Sequence, residues 1–401
     1  MYYRIISFLL GFITLFSSLF AGGGVRQKEE EAKKNVYTAA GWELTELLMQ
    51  NCGNPVTHKL YKKMDEKGMP FVWSAAAYCE TLCDAYRLFP ENRVLGIWYR
   101  DVLLRVFDRY KVENATIEAP GGTYPGQTYY NSGAGHEGDF YYDDNVWGCL
   151  QLLHGYRNLG EPSLLAAAEK NLAFLWTGWD DAFGGGIYWH KTWKSKSTCS
   201  NAPVAAAFLL AYQITGKEVY LTRGKMIWDW MNETMLDGDL YKDSIRIDGS
   251  VNDWKSAYNQ ATMIYAGCLL YEITGDEAVF ARTRATVNAS VGMMFETKET
   301  ADGSTEIFMR AEPLYKAWCV AWLARVYVKF YQLDPAKDTA PMDHIIAVLP
   351  RELKTKDTNG LYDPFFCSGG SDPEYYTEIL AQGGVAGVFL TAGYYQTAVN
   401  P

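Results

Sequence analysis

Tyr212-Gln213-Ile214-Thr215-Gly216 and Tyr271-Glu272-Ile273-Thr274-Gly275 are nearly the same phrase, repeated after 59 residues. Looser copies stand at Tyr86-Arg87-Leu88-Phe89-Pro90, Tyr156-Arg157-Asn158-Leu159-Gly160, Tyr331-Gln332-Leu333-Asp334-Pro335 and Tyr395-Gln396-Thr397, so the six tyrosines step by 70, 56, 59, 60 and 64 residues. Each phrase ends an apolar run rich in small residues, of which 202–212 is typical, and the Gly or Pro that follows most of them is a helix stop. Amphipathic runs such as 219–235 and 278–295 come next. The chain is a series of helical hairpins. Six phrases give six inner helices and five outer ones, and the helix expected over 33–50 supplies a sixth outer helix by pairing with the last inner one. Twelve helices whose first and last members complete each other predict an all-α fold, an (α/α)6 barrel in place of an open solenoid. No linker rich in Pro, Gly or Ser divides it, so 25–401 reads as one domain.

In such a ring the connections from each outer helix into the next inner helix gather at one end. Here they are long, at 111–142, 180–200, 236–257, 296–311 and 355–383, whereas the Tyr-x-x-Thr-Gly connections are short. Long loops on one face of a regular scaffold usually carry function. They hold Tyr141-Tyr142-Asp143-Asp144-Asn145-Val146-Trp147, a second pair Asp180-Asp181 ahead of Gly184-Gly185-Gly186, then Trp189, Ser200-Asn201, Asn252-Asp253-Trp254 and Tyr258-Asn259-Gln260. Taken singly each has a plain reading: Asp-Asp at a helix entry is a capping device, and Asp180-Asp181 before glycines fits a tight turn. Taken together, acids, amides and aromatics without a basic cluster describe a site for a neutral polyol. Two neighbouring carboxylates, one ionised and one protonated, suit glycoside cleavage. Asp143 and Asp144 are the catalytic candidates. Tyr141, Tyr142, Trp189 and Trp254 are candidates for stacking on sugar rings, and Asp180, Asp181, Asn201, Asn259 and Gln260 for hydroxyl contacts.

Composition agrees. A chain of 401 residues with 29 Tyr, 13 Trp and 18 Phe has ample apolar content for a core and aromatic faces to spare for a cleft. A formal net charge of −10 argues against a nucleic-acid partner. The eight cysteines are scattered; Cys79, Cys83, Cys149, Cys268 and Cys319 fall in apolar helical runs and read as buried free thiols. With no CxxC and no paired histidine spacing, neither a metal site nor a cofactor is expected. Residues 1–24 read as a secretory signal: Arg4, an apolar run over 5–20, then Ala21 and three glycines. The expected product is an exported monomer, periplasmic or extracellular, that is not inserted in a membrane.

Tyr142-Asp143-Asp144-Asn145 with Trp147, Gly178-Trp179-Asp180-Asp181 with Gly184-Gly185-Gly186-Ile187-Tyr188-Trp189, Cys199-Ser200-Asn201-Ala202-Pro203, and Tyr258-Asn259-Gln260 ahead of the Tyr271 phrase together resemble glycoside hydrolase family 76, the endo-acting α-1,6-mannanases. The match runs in order over roughly residues 70 to 330. The resemblance implies an (α/α)6 fold and retaining hydrolysis of α-1,6-linked mannose backbones, with Asp143 as nucleophile and Asp144 as acid/base; the residues by themselves do not order the two roles. Two other classes stay open on the sequence: a different (α/α)6 carbohydrate-active enzyme, and a non-catalytic glycan-binding protein. An unsaturated glucuronyl hydrolase would need basic residues for its uronate and an epimerase would need barrel histidines, and the mouth loops offer only His136 and His190.

Overall fold

The computed structural model describes residues 23–399 apart from 136, 301, 312–316, 367, 369–371 and 373. The leader expected over 1–24 lies outside the described residues, save its last two. The helices among them are α1 (Gly23–Ala32), α2 (Val36–Cys52), α3 (Val72–Leu88), α4 (Arg93–Asp101), α5 (Tyr142–Leu159), α6 (Pro162–Trp176), α7 (Thr198–Thr215), α8 (Glu218–Trp230), α9 (Ala257–Thr274), α10 (Glu277–Met294), α11 (Ala317–Leu333), α12 (Ala340–Glu352) and α13 (Ile379–Val399). Helices α3, α5, α7, α9, α11 and α13 pack side by side in that order, and α13 returns onto α3. Outside this ring α4 lies on α3, α6 on α5, α8 on α7, α10 on α9 and α12 on α11, while α2 takes the place against α13. That is the (α/α)6 barrel, with the first helix of the ring completing the last.

The inner helices form because they can bury every face. All of Ala257–Leu270 in α9 is buried except Tyr258, and all of Thr198–Ala211 in α7 except Cys199; a helix apolar all round belongs inside. The repeated phrase is their C-terminal stop. Gly160, Gly216 and Gly275 have φ of 65°, 69° and 65°, and each donates its N–H to the carbonyl of the phrase tyrosine, Tyr156, Tyr212 or Tyr271. Only glycine adopts this left-handed cap without strain. Thr215 and Thr274 donate to the carbonyls of Ala211 and Leu270 and accept the N–H of Lys217 and Asp276. The phenols of Tyr212 and Tyr271 donate to Glu218 and Glu277, the first residues of the next outer helices. The phrase is thus the elbow of each hairpin. Closure has its own requirement: a Cβ on Gly41 of α2 would lie 2.9 Å from the Leu390 nitrogen and 3.0 Å from the Ala386 carbonyl of α13.

The long loops at the other end contain short antiparallel strands. Residues 111–119 pair antiparallel with 122–130, and 295–299 with 305–309. Strands 195–197, 244–246 and 251–252 form one small sheet that ties two neighbouring loops together. Backbone pairing satisfies N–H and C=O groups that such long connections would otherwise leave to water. Cys79, Cys149, Cys268 and Cys319 are buried free thiols and Cys83 is half-buried. No helix among the described residues is long and apolar enough to cross a membrane.

Candidate active site

At the loop end of the barrel axis lies a cavity of about 410 Å³ lined by Trp73, Asp143, Asp144, Trp147, Trp189, Ser195, Ser197, Cys199, Asp243, Ser244, Arg246, Asn252, Tyr258 and Trp318. Its inner wall follows one rule. Trp73, Asp143, Cys199, Tyr258 and Trp318 each stand 13 residues ahead of a phrase tyrosine, by subtraction from Tyr86, Tyr156, Tyr212, Tyr271 and Tyr331. Each is also the second residue of its inner helix. Five of the six hairpin repeats therefore deliver one side chain each to the axis, and in α5 that side chain is a carboxylate.

The start of α5 is held by Trp189. The Tyr142 N–H donates to the Trp189 carbonyl at 2.9 Å, and the Trp189 indole donates to Asp143 Oδ2 at 2.8 Å. Asp143 Oδ1 accepts the Asp144 N–H at 2.9 Å, and the Cys199 thiol lies 3.6 Å from Oδ2. Trp189 in turn leans on Tyr141, ring centres 5.0 Å apart, and Tyr141 on His190 at 4.4 Å. Burial among these rings pushes the Asp143 carboxyl above its usual range, opposed by the three donors. Asp144 has no such donors; burial and then the charge of Asp143 push its carboxyl well up. The surroundings of the two neighbours differ: hydrogen-bond donors favour the ionised form of Asp143, and none does so for Asp144.

The other residues expected at the site separate into those that reach the cavity and those that build it. Trp189 lines it and is 39% exposed. Tyr141 is half-buried behind Trp189. Tyr142 cannot stack on a sugar: it is buried, parallel to Phe174 at 5.2 Å, with its phenol 3.2 Å from the Thr177 hydroxyl. Trp254 does not line the cavity, and its N–H turns back to the Asn252 side chain at 3.3 Å. Asp180 is a clasp for the glycine loop, accepting the Ala182 N–H, the Tyr188 phenol and the buried ammonium of Lys196. Lys196 also donates to the Ala182 and Gly185 carbonyls at 2.8 and 2.6 Å. Asp181 is exposed beside that turn, away from the cavity.

Asn201 and Gln260 belong to a device absent from the expectations. Asn145, Asn201, Gln260 and Gln382 are each the fourth residue of an inner helix. Each amide oxygen accepts the N–H of one loop residue, Tyr130, Ile187, Tyr241 or Tyr362, and each amide nitrogen donates to that residue's carbonyl. The side chain pairs like a strand and stitches the incoming loop to the helix. Being buried and fully used, Asn201 and Gln260 make no hydroxyl contacts with a ligand. Asn259 is buried as well and donates to Asp243 Oδ1 at 3.3 Å. Asp243, which sequence reasoning passed over, is the third carboxylate of the cavity; it also takes the Asn252 amide at 2.9 Å, and burial pushes its carboxyl up. Arg246 brings one cation to the rim. His136 lies outside the described residues, and His190 is not part of the lining.

The comparisons point the same way. The chain is 29% identical to a mannan endo-1,6-α-mannosidase of Saccharomyces cerevisiae over 37% of each chain, so it spans little more than a third of that relative's length. It superposes on an α-mannanase of family 76 from Bacteroides thetaiotaomicron with a TM-score of 0.74, at 22% identity over 93% of this chain and 100% of that one. It also superposes on an inactive variant, with two adjacent Asp→Asn changes, of an α-1,6-mannanase of Salegentibacter sp. in complex with α-1,6-mannotriose: TM-score 0.67, 19% identity, 90% and 99% of the two chains. These likenesses carry the fold. Residues 45–338 match Glycosyl hydrolase family 76, a span that covers the dyad, the loops that hold it and nine of the twelve barrel helices whole, and the chain belongs to that family.

Proposed function

We propose that the protein hydrolyses α-1,6-linked mannose backbones of mannan by double displacement, cutting within the chain. The observation that carries this reading is the asymmetry of the dyad: Asp143 is fixed by the Trp189 indole and its neighbour's N–H, and Asp144 faces the same cavity with neither. The Asp143 carboxylate attacks the anomeric carbon as the glycosidic C–O bond breaks, and the departing oxygen takes the Asp144 proton. Asp144, now ionised, then takes a proton from water, whose oxygen attacks the anomeric carbon and frees Asp143. Trp189, Trp73 and Tyr258 offer flat faces to the sugar rings, and Asp243, Asn252 and Ser244 offer hydroxyl partners. Adjacent aspartates changed in the inactive, mannotriose-bound relative support the assignment. The pattern of residues 1–24 supports export to a periplasm or beyond, and the protein acts as a monomer.

Proton NMR of the reaction with an unbranched α-1,6-manno-oligosaccharide tests it. The first product carries an α-anomeric signal and none forms with Asp143→Ala; an early β signal means inversion and sinks the double displacement. The pH dependence follows from the same two groups. Activity needs Asp143 ionised and Asp144 protonated, and burial raises both carboxyls. The acid limb of kcat/KM is therefore expected above the ordinary Asp value of about 3.9, lost as pH falls through the Asp143 ionisation. The alkaline limb is lost as pH rises through that of Asp144, and the two apparent values belong to the pair. An acid limb at or below about 4 contradicts the raised nucleophile.

A further inference from the structure

The aromatic wall of the cavity has a hub. Trp318 is packed by Trp147 at 4.9 Å and Trp73 at 5.4 Å, both edge to face, and by Tyr258 at 5.7 Å. All four line the cavity, yet Trp318 is itself only 2% exposed. Packing fixes where such a ring sits; its one polar atom fixes how it is turned. The Trp318 indole donates to Glu80 Oε2 at 2.8 Å.

Glu80 does not touch that cavity. It lies one layer deeper on α3, on the lining of a second cavity toward the other end of the barrel. Its Oε2 also accepts Arg325 Nη1 at 2.8 Å and its Oε1 the Gln151 amide at 3.3 Å. Arg325 is anchored in turn by Nε to Asp84 at 2.8 Å. Four inner helices thus converge on one carboxylate: α3 supplies Glu80 and Asp84, α5 Gln151, α11 Trp318 and Arg325, and α13 the space. A Cβ on Gly384 of α13 would collide with the backbone at Trp318, and one on Gly387 would lie 2.8 Å from Arg325 Nη2 and 3.3 Å from Asp84 Oδ2. A buried ion pair of this kind adds little net stability over apolar residues of the same shape, so orientation is the better account of it. An acceptor held by two other donors cannot turn away, and neither can the indole bonded to it.

We propose that Glu80 is a positioning residue for sugar binding: from below the cavity it fixes the plane of Trp318, and through Trp318 the faces that Trp73 and Tyr258 present to mannose. This rests on the mannanase reading above. Its mark is a split between kinetic constants. The wall binds substrate and transition state alike, so loosening it raises KM and spares kcat.

Glu80→Gln keeps the shape but sets an amide against Arg325. Steady-state kinetics on α-1,6-mannotetraose are expected to show KM raised about tenfold with kcat within about twofold of wild type. In the double variant with Trp318→Phe, KM is expected to equal that of Trp318→Phe alone, since Glu80 acts only through the indole. A Glu80→Gln effect of full size in the Trp318→Phe background overturns the proposal, and so does an unmoved KM in a folded Glu80→Gln protein. Should Glu80→Gln not fold, Gln151→Leu removes one of the orienting donors alone, and the same split is expected at about threefold in KM; its absence overturns the role equally. An indole N–H resonance identified by its loss in Trp318→Phe is expected to shift in either variant without any substrate. Wild-type protein that fails to cleave the tetraose overturns the mannanase reading and this role with it, whereas turnover with KM unmoved in the variants overturns the role alone.

Discussion

Asp143→Asn is expected to lower kcat on an unbranched α-1,6-manno-oligosaccharide by on the order of 10⁴-fold or more, because no other group can form the covalent bond that splits the reaction into two steps. Asp144→Ala is expected to fall less on that substrate, roughly 10²- to 10⁴-fold, the worth of a positioned proton donor. The contrast between the two is the sharper result. With an aryl mannoside whose leaving group departs without a proton, Asp144→Ala recovers most of the first step and Asp143→Asn recovers none. kcat/KM and the pre-steady-state burst of the aryl leaving group, taken with kcat/KM on the oligosaccharide for both variants, check this. Equal losses on both substrates for both variants would mean that the two carboxylates do not divide the work as their surroundings divide them.

That division was only half legible beforehand. The sequence identifies Asp143 and Asp144 as a pair, but what separates them is Trp189, 46 residues on, whose indole reaches back to Oδ2. The hairpin count was legible because a helix stop needs a particular backbone: glycine recurs after Tyr156, Tyr212 and Tyr271 for a conformational reason. The cavity wall was not. Position 13 before the first five phrase tyrosines holds Trp, Asp, Cys, Tyr and Trp in turn, so geometry repeats while chemistry does not, and a search for like residues passes over it. Asn201 and Gln260 stand out in the sequence but not their task, since an amide in a functional loop looks the same whether it faces a sugar or a strand. Two residues on a helix lie about 200° apart. In the first five repeats position 13 before the tyrosine therefore faces the axis, and position 11, where Asn145, Asn201 and Gln260 stand, faces the incoming loop.

Asn201→Leu puts that reading to the test. Asn201 is buried, accepts the Ile187 N–H at 2.6 Å and donates to the Ile187 and Ser197 carbonyls at 2.8 and 2.9 Å. Leucine fills similar space and strands all three groups, each at about 1–3 kcal/mol. A loss of about 3 kcal/mol or more is expected, seen as a Tm lower by about 4 °C or more by calorimetry. A hydroxyl-binding Asn201 would instead leave Tm near wild type and raise KM. The stitch also carries function, because Ile187 lies two residues from Trp189; kcat is expected to fall about tenfold at temperatures where the variant is folded. Asn201→Asp adds a pH signature. Its carboxyl would face two carbonyls, so the folded state favours the protonated form and raises the pKa above its unfolded value. Stability is then greatest at low pH, where the protonated group still donates to one carbonyl, and is lost as pH rises through the raised pKa. Thermal unfolding of Asn201→Asp followed from pH 4 to 8 is expected to show that decline relative to wild type; a flat difference would mean that the amide does not hold the loop.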